Sequence, residues 1–265
     1  FQKVMAHFSP AFCLGMTATP ERMDDFNVYR SFDYNLAYEI SLDEALTTEL
    51  LCPFDYVGVI DYEVEGEMIT EKTPLKQLTA PERVTHILKQ LEYYGSTKSR
   101  GGLVFCSRQQ EAKALAKAFT AAGYPSQALT NEDSVIKREE AVARLESGVL
   151  KYLISVDIFN EGIDIPCVDQ IILLRDTRSK IVFTQQLGRG LRLFPGKTST
   201  LILDFIGNYQ NNYLIPQALT NDRSLNKDRL VADLKEQVVY GLSTINFDEI
   251  AYQKILAVIA RTKLD

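Results

Sequence analysis

Between residues 103 and 203, short unbroken apolar runs alternate with amphipathic helical stretches, and this alternation limits the fold more than any other feature of the chain. Leu103-Val104-Phe105-Cys106, Tyr152-Leu153-Ile154-Ser155-Val156, Ile171-Ile172-Leu173-Leu174 and Leu201-Ile202-Leu203 each have the length of a strand. Polar residues do not alternate with apolar ones inside these runs, so both faces of each strand must be covered. A parallel sheet with helices on either side does this. Ala112, Leu115, Ala116 and Phe119 share one helical face, a helix is predicted around 138–145 and another over 179–193. Gly123 and Gly148 stand where helices should stop. The expected class is α/β, and ligands of such sheets bind beyond the carboxyl ends of the strands.

The flanks are less regular. Residues 11–16 form a strand candidate that ends at Thr17-Ala18-Thr19-Pro20, where proline forbids further ladder pairing. Ser41-Leu42-Asp43-Glu44 reads as a capped helix start within a connector. A strand is predicted over 54–64, followed by an exposed polar excursion over 65–78. Thr79-Ala80-Pro81-Glu82 has the pattern of a capping box and should launch a helix to about Tyr94; Ser107-Arg108-Gln109-Gln110 is a second capping pattern. From about residue 208 the chain turns polar and aromatic, and two helices are expected, the second with Ala251, Ile255, Val258 and Ile259 on its apolar face. The chain opens at Phe1 inside an amphipathic phrase, which suggests part of a longer protein.

Composition narrows the classes of function. With 265 residues, a formal net charge of −6 and a pI near 5.2, the chain cannot hold nucleic acid by bulk positive charge, so any such surface must be local. Cys13, Cys52, Cys106 and Cys167 are scattered with no C-x-x-C pair. Cys13 and Cys106 lie in apolar runs that predict buried thiols, and a reducing cytoplasm is expected. His7 and His86 have no ligand-like neighbours at helical spacing, which argues against zinc. No apolar stretch is long enough to span a membrane.

Three places could carry chemistry. Gln185, Arg189 and Arg192 are spaced i, i+4, i+7 and would share one helical face. A solvated polar face is the ordinary meaning of that spacing. Gly188 and Gly190 argue for more, because each costs a helix interior about 1 kcal/mol and suits a backbone passing close to a ligand or a neighbouring domain. Asn160-Glu161-Gly162-Ile163-Asp164-Ile165-Pro166 follows a strand; it is either a turn or a place where glycine admits a ligand and aspartate accepts from a ribose hydroxyl. Ser107, capping a helix beside Arg108, could seat a phosphate on the helix N-terminus, although many such ends bind nothing.

In their order along the chain, Thr17-Ala18-Thr19-Pro20, Val104-Phe105-Cys106-Ser107, residues 157–166 and residues 185–192 resemble motifs III, IV, V and VI of superfamily 2 helicases. Gly15 through Arg22 and Phe159 through Pro166 look most like the branch of the type III restriction enzyme helicase subunit. The resemblance implies a RecA-like, P-loop NTPase-type second lobe over 53–207. A remnant of a first lobe with an inter-lobe connector would occupy 1–52, and a small helical extension of unassigned role 208–265. It further implies that Arg189 and Arg192 are arginine fingers positioned with help from Gln185. Gly162 and Asp164 would meet the nucleotide, Ser107, Arg108, Thr130 and Ser155 the nucleic-acid backbone, and Thr17 and Thr19 would couple hydrolysis to nucleic acid.

No G-x-x-x-x-G-K-[ST] loop and no Asp-Glu pair ahead of motif III occur, so ATP and Mg2+ belong to the intact protein, with neither held tightly by this piece. The expected partners are nucleic acid, DNA in preference to RNA, a missing N-terminal RecA-like lobe, and a nuclease or methylase; no membrane is expected. The expected function is the C-terminal half of an ATP-dependent helicase or translocase, inactive alone. The alternatives are a non-hydrolysing nucleic-acid-binding or docking module, and a nucleotide-binding enzyme of another class on a similar sheet.

Overall fold

The structure, a computed structural model, describes residue 4 and residues 7–8, 11–17, 28–64, 67–70, 72–96, 99–156, 165–175, 180–206, 226, 228, 231–232 and 242–261. The chain divides into two units, Phe1–Glu39 and Ile40–Asp265.

In the first unit a 3-10 turn spans Tyr29–Phe32 and ends on Asp33 and Tyr34, both left-handed at φ 50° and 59°. No strand occurs among its described residues. Residues 11–16, predicted as a strand, do not form one, and Phe12, Cys13, Leu14 and Met16 are exposed. This corrects both the strand and the buried Cys13: an apolar run becomes a strand only where a neighbour completes its ladder.

In the second unit α1 (Leu42–Thr47) opens on Ser41, whose hydroxyl accepts from the Glu44 N–H at 3.4 Å. Strand β1 (Phe54–Ile60) stops short of the predicted end at 64, and the excursion after it holds a small antiparallel pair, β2 (Glu63–Val64) with β3 (Glu67–Met68). Short α2 (Leu75–Leu78) buries Leu78 and leads to α3 (Pro81–Tyr94). Then follow β4 (Gly102–Phe105), α4 (Gln109–Ala121), β5 (Ser126–Leu129), α5 (Val135–Glu146), β6 (Tyr152–Ser155) and β7 (Gln170–Leu173). The series closes with α6 (Lys180–Gly190), β8 (Thr200–Ile206), β9 (Thr244–Phe247) and α7 (Glu249–Arg261).

Seven strands make one parallel sheet in the order β5-β6-β4-β7-β8-β1-β9. Period-two geometry sends Leu103 and Phe105 to one face and Val104 and Cys106 to the other, and both faces are buried. On the first face Ala141 and Leu145 of α5 and Phe183 and Leu187 of α6 cover the sheet. On the second, Val84, Ile87, Leu88 and Leu91 of α3 meet Ala112, Leu115, Ala116 and Phe119 of α4. The apolar runs of the sequence are the double-sided burial seen here. Gly123 and Gly148 end α4 and α5 at φ 92° and 76°, where a side chain would strain the backbone.

Neither predicted capping box forms. Ala80 is the N-cap of α3 and offers no side-chain cap, and Pro81 starts that helix with its fixed φ and no N–H of its own to satisfy. The Thr79 hydroxyl instead donates to the Leu75 carbonyl at 2.9 Å. Arg108, not Ser107, precedes α4, without a side-chain cap.

The segment expected as a separate helical extension joins the sheet through β9. Phe54 N–H donates to the Ser243 hydroxyl at 3.2 Å, Thr244 hydroxyl to Asp55 at 2.8 Å, and Ile60 N–H to Asp248 at 2.8 Å. Asp248 also accepts from Ala251 N–H at 2.6 Å, which caps α7, whose Ala251, Ile255 and Ile259 are buried.

Candidate functional site

The strands are parallel, so their carboxyl ends gather on one edge. Ser155 ends β6 opposite Phe105 on one side and Leu129 on the other. Ser107 and Arg108, Thr130 and Ser155 therefore lie together past three adjacent strands, β4, β5 and β6. Their chemistry differs. Ser155 is fully buried, and its hydroxyl has no hydrogen-bond partner among the described residues. A buried hydroxyl left that way costs about 1–3 kcal/mol.

Ser107 and Thr130 are already engaged. Ser107 donates its N–H and hydroxyl to Glu111 Oε2 at 3.0 and 2.8 Å. The carboxylate thus fills the position at the start of α4 that the sequence suggested for a phosphate. Thr130 donates its N–H to Asp133 Oδ2 at 2.6 Å and its hydroxyl to the same oxygen at 3.2 Å. Gln109 Nε2 donates to Asn131 Oδ1 at 2.6 Å, tying the start of α4 to the loop after β5. Arg138 donates to the Asn131 carbonyl at 3.2 Å, and Arg175 stands past the end of β7, half-buried.

Behind Ser107 is a buried ionic network that the sequence did not announce. Arg83 on α3 is wholly buried; it grips Asp61 at 3.1 and 2.8 Å, Glu111 at 2.9 Å and the Leu78 carbonyl at 2.8 Å. Tyr62 N–H adds a bond of 2.7 Å to Asp61. Burial opposes the charge on Arg83, but Asp61 and Glu111 outweigh it and hold the guanidinium above its ordinary pKa. The network fixes Glu111, and Glu111 fixes Ser107. The i, i+4 spacing of Ser107 and Glu111 is the one signal in the sequence that hinted at this.

The arginine group lies elsewhere. Gln185 and Arg189 are half-buried on α6, but α6 ends at Gly190, so Arg192 leaves the helical face expected of it and sits exposed in the following loop. Gly190 explains the departure. A β-carbon there would come within 2.7 Å of Ile171 Cδ1 and 2.8 Å of Thr200 Cγ2, so the glycine seats the end of α6 on the beginnings of β7 and β8. This is the amino edge of the sheet, opposite Ser155. Gly188 differs, being exposed with nothing within 4 Å of its β-carbon position.

Thr17 is exposed in the first unit. Thr19, Gly162 and Asp164 lie outside the described residues. Among the described residues no group of three or more His, Cys, Asp or Glu could hold a metal ion, and no helix is long and apolar enough to cross a membrane.

Residues 82–194 match the model of the helicase conserved C-terminal domain. The chain is 27% identical over 254 residues to IRC3 of Saccharomyces cerevisiae, an ATP-dependent helicase by name, covering 89% of this chain and 36% of that protein. Over 131 residues it is 28% identical to the EcoKI type I restriction enzyme endonuclease subunit of Escherichia coli, covering 44% of this chain and 11% of that protein. Among solved structures, a fragment described as the HsdR subunit of a type I restriction enzyme from Vibrio vulnificus superposes with a TM-score of 0.62 at 25% identity, covering 77% of this chain and 41% of that one. The chain therefore spans well under two thirds of the length of these relatives. The seven-stranded parallel sheet flanked by helices is consistent with the fold of a RecA-like helicase C-terminal lobe, and residues 82–194 within it are similar to the helicase conserved C-terminal domain.

Proposed function

We propose that the chain is the C-terminal half of an ATP-dependent nucleic-acid motor, in which an N-terminal RecA-like lobe of the same protein holds the phosphates and this lobe closes over them. The observation that carries this reading is Arg189 and Arg192 at the end of α6, beside the open space at Gly188, within the segment that matches the helicase domain. On closure these guanidinium groups would reach the γ-phosphate, with Gln185 helping to position them, where charge spreads over the transferred phosphoryl group. Mg2+ would neutralise the phosphate oxygens, held by carboxylates of the other lobe. Gly162 and Asp164 are assigned to the nucleotide, and Thr17 and Thr19 to coupling between the lobes.

At the opposite edge Ser155, Arg108, Ser107 and Thr130 are assigned to the nucleic-acid backbone. Without base readout, such contacts suit a motor that tracks a strand of any sequence. DNA is favoured over RNA because two of the relatives are type I restriction subunits, and a nuclease or methylase in the same assembly fits them too. A place in the type III restriction branch, and in the cytoplasm, belongs to the same proposal. We further propose that this piece alone does not hydrolyse ATP.

The test is ATP turnover by the full-length protein and by this chain, each with and without single-stranded or duplex DNA and RNA. Stimulated turnover by the full-length protein, with none by the chain, is the expected result. Silence of the full-length protein with every polymer would replace the motor with a binding or docking module.

A further inference from the structure

The loop after α6 is held more firmly than its exposure suggests. The last carbonyls of a helix have no partner within the helix and are usually left to water. Here the carbonyl of the last helical residue and the two that follow it are all taken. The Gly190 carbonyl accepts from the Lys197 ammonium and from the Thr200 hydroxyl, Leu191 from the Cys52 N–H at 2.8 Å, and Arg192 from Lys197 again at 3.1 Å. A cation at this end of a helix is also favoured by the helix dipole.

Lys197 is itself located by a turn, its N–H donating to the Phe194 carbonyl at 3.0 Å with Gly196 at φ 78°. Arg100 closes the turn from outside, 5.0 Å over the Phe194 ring and 3.3 Å from the Pro195 carbonyl, while its own N–H donates to Asp169 at 2.7 Å. A surface lysine ordinarily swings in water. This one is half-buried, and burial lowers its pKa, with Cys52 and Asp169 opposing that shift.

Arg192 lies beyond the helix, so helical geometry does not set the direction of its side chain. Its backbone is held instead by the bridge from the Gly190 carbonyl to the Arg192 carbonyl through a single ammonium. We propose that Lys197 is the positioning residue for Arg192, holding the backbone at the end of α6 so that the arginine points at the nucleotide. This rests on the arginine-finger reading above.

In the full-length protein, Lys197→Gln should lower kcat by about 10–100-fold, the scale on which small misplacements act. The KM for ATP should stay within about twofold, and nucleic-acid affinity should not change. Lys197→Arg, which can still donate to two carbonyls, should recover most of the loss. Lys197→Met, keeping the apolar stem without the charge, serves if the glutamine variant does not fold. Combined with Arg192→Ala, Lys197→Gln should cost nothing further.

Wild-type kcat in the Gln and Met variants, while Arg192→Ala has lost turnover, would overturn the positioning role alone. Wild-type kcat in Arg192→Ala would remove the finger reading and this inference with it. A loss of kcat that tracks a fall in Tm and is not recovered by Lys197→Arg would also overturn it, leaving Lys197 a structural residue.

Discussion

The carboxyl edge of the sheet and the far end of α6 both present polar groups, but they are organised in opposite ways. At the edge, Ser107 and Thr130 each lean on a carboxylate of this chain, Glu111 and Asp133, and Glu111 leans in turn on a buried arginine. Side chains are fixed to side chains, and the surface is organised within one lobe. At the end of α6 the backbone is fixed instead, through the carbonyls of Gly190 and Arg192, while Arg192 stands exposed and Gly188 faces open space. The first surface is ordered through its side chains; the second is firm in its backbone, and under the split-site proposal it would meet an opposing lobe.

The contrast can be broken by substitution. The largest effect should come from Arg192→Ala in the full-length protein, with ATP turnover lower by about 10³–10⁵ and nucleic-acid affinity retained; the two measured together separate the surfaces. Next, Glu111→Ala takes one of two carboxylates from the buried Arg83, leaving Asp61, and should lower unfolding stability by about 2–3 kcal/mol in denaturant titration. Gly190→Ala drives a methyl group into Ile171 and Thr200 and should cost about 1–3 kcal/mol, whereas Gly188→Ala should stabilise the isolated chain by about 1 kcal/mol. If the space at Gly188 is where the other lobe closes, that same change should slow turnover in the full-length protein. The smallest effect on stability should be that of Ser155→Ala, within about 1 kcal/mol of wild type because no hydrogen bond is lost, while nucleic-acid affinity falls.

Much of this was legible in the sequence, for reasons that can be named. Strands β4, β6, β7 and β8 were visible because burial on both faces writes itself as unbroken apolar runs. Ser107 was marked by its place directly after a strand, whereas Thr130 and Ser155 were singled out only by the resemblance to superfamily 2 helicases. Strand β9 was not visible: Thr244-Ile245-Asn246-Phe247 sits at the sheet margin, half exposed, and carries no such run. Cys13 and its neighbours showed the reverse, an apolar run that is exposed and is not a strand. Arg83, Asp61 and Glu111 are three charges on separate elements, and nothing local marks them as buried together. The end of α6 was misplaced because the close approach that stops it, Gly190 on Ile171 and Thr200, is a tertiary contact.

The most direct test of the account is ATP turnover of the full-length Arg189→Ala variant at saturating nucleic acid, measured beside its affinity for that nucleic acid. Turnover lost by about three orders of magnitude or more, with binding intact, is the predicted result. Turnover at the wild-type rate would show that the end of α6 does not face the nucleotide, and the split-site account would be wrong.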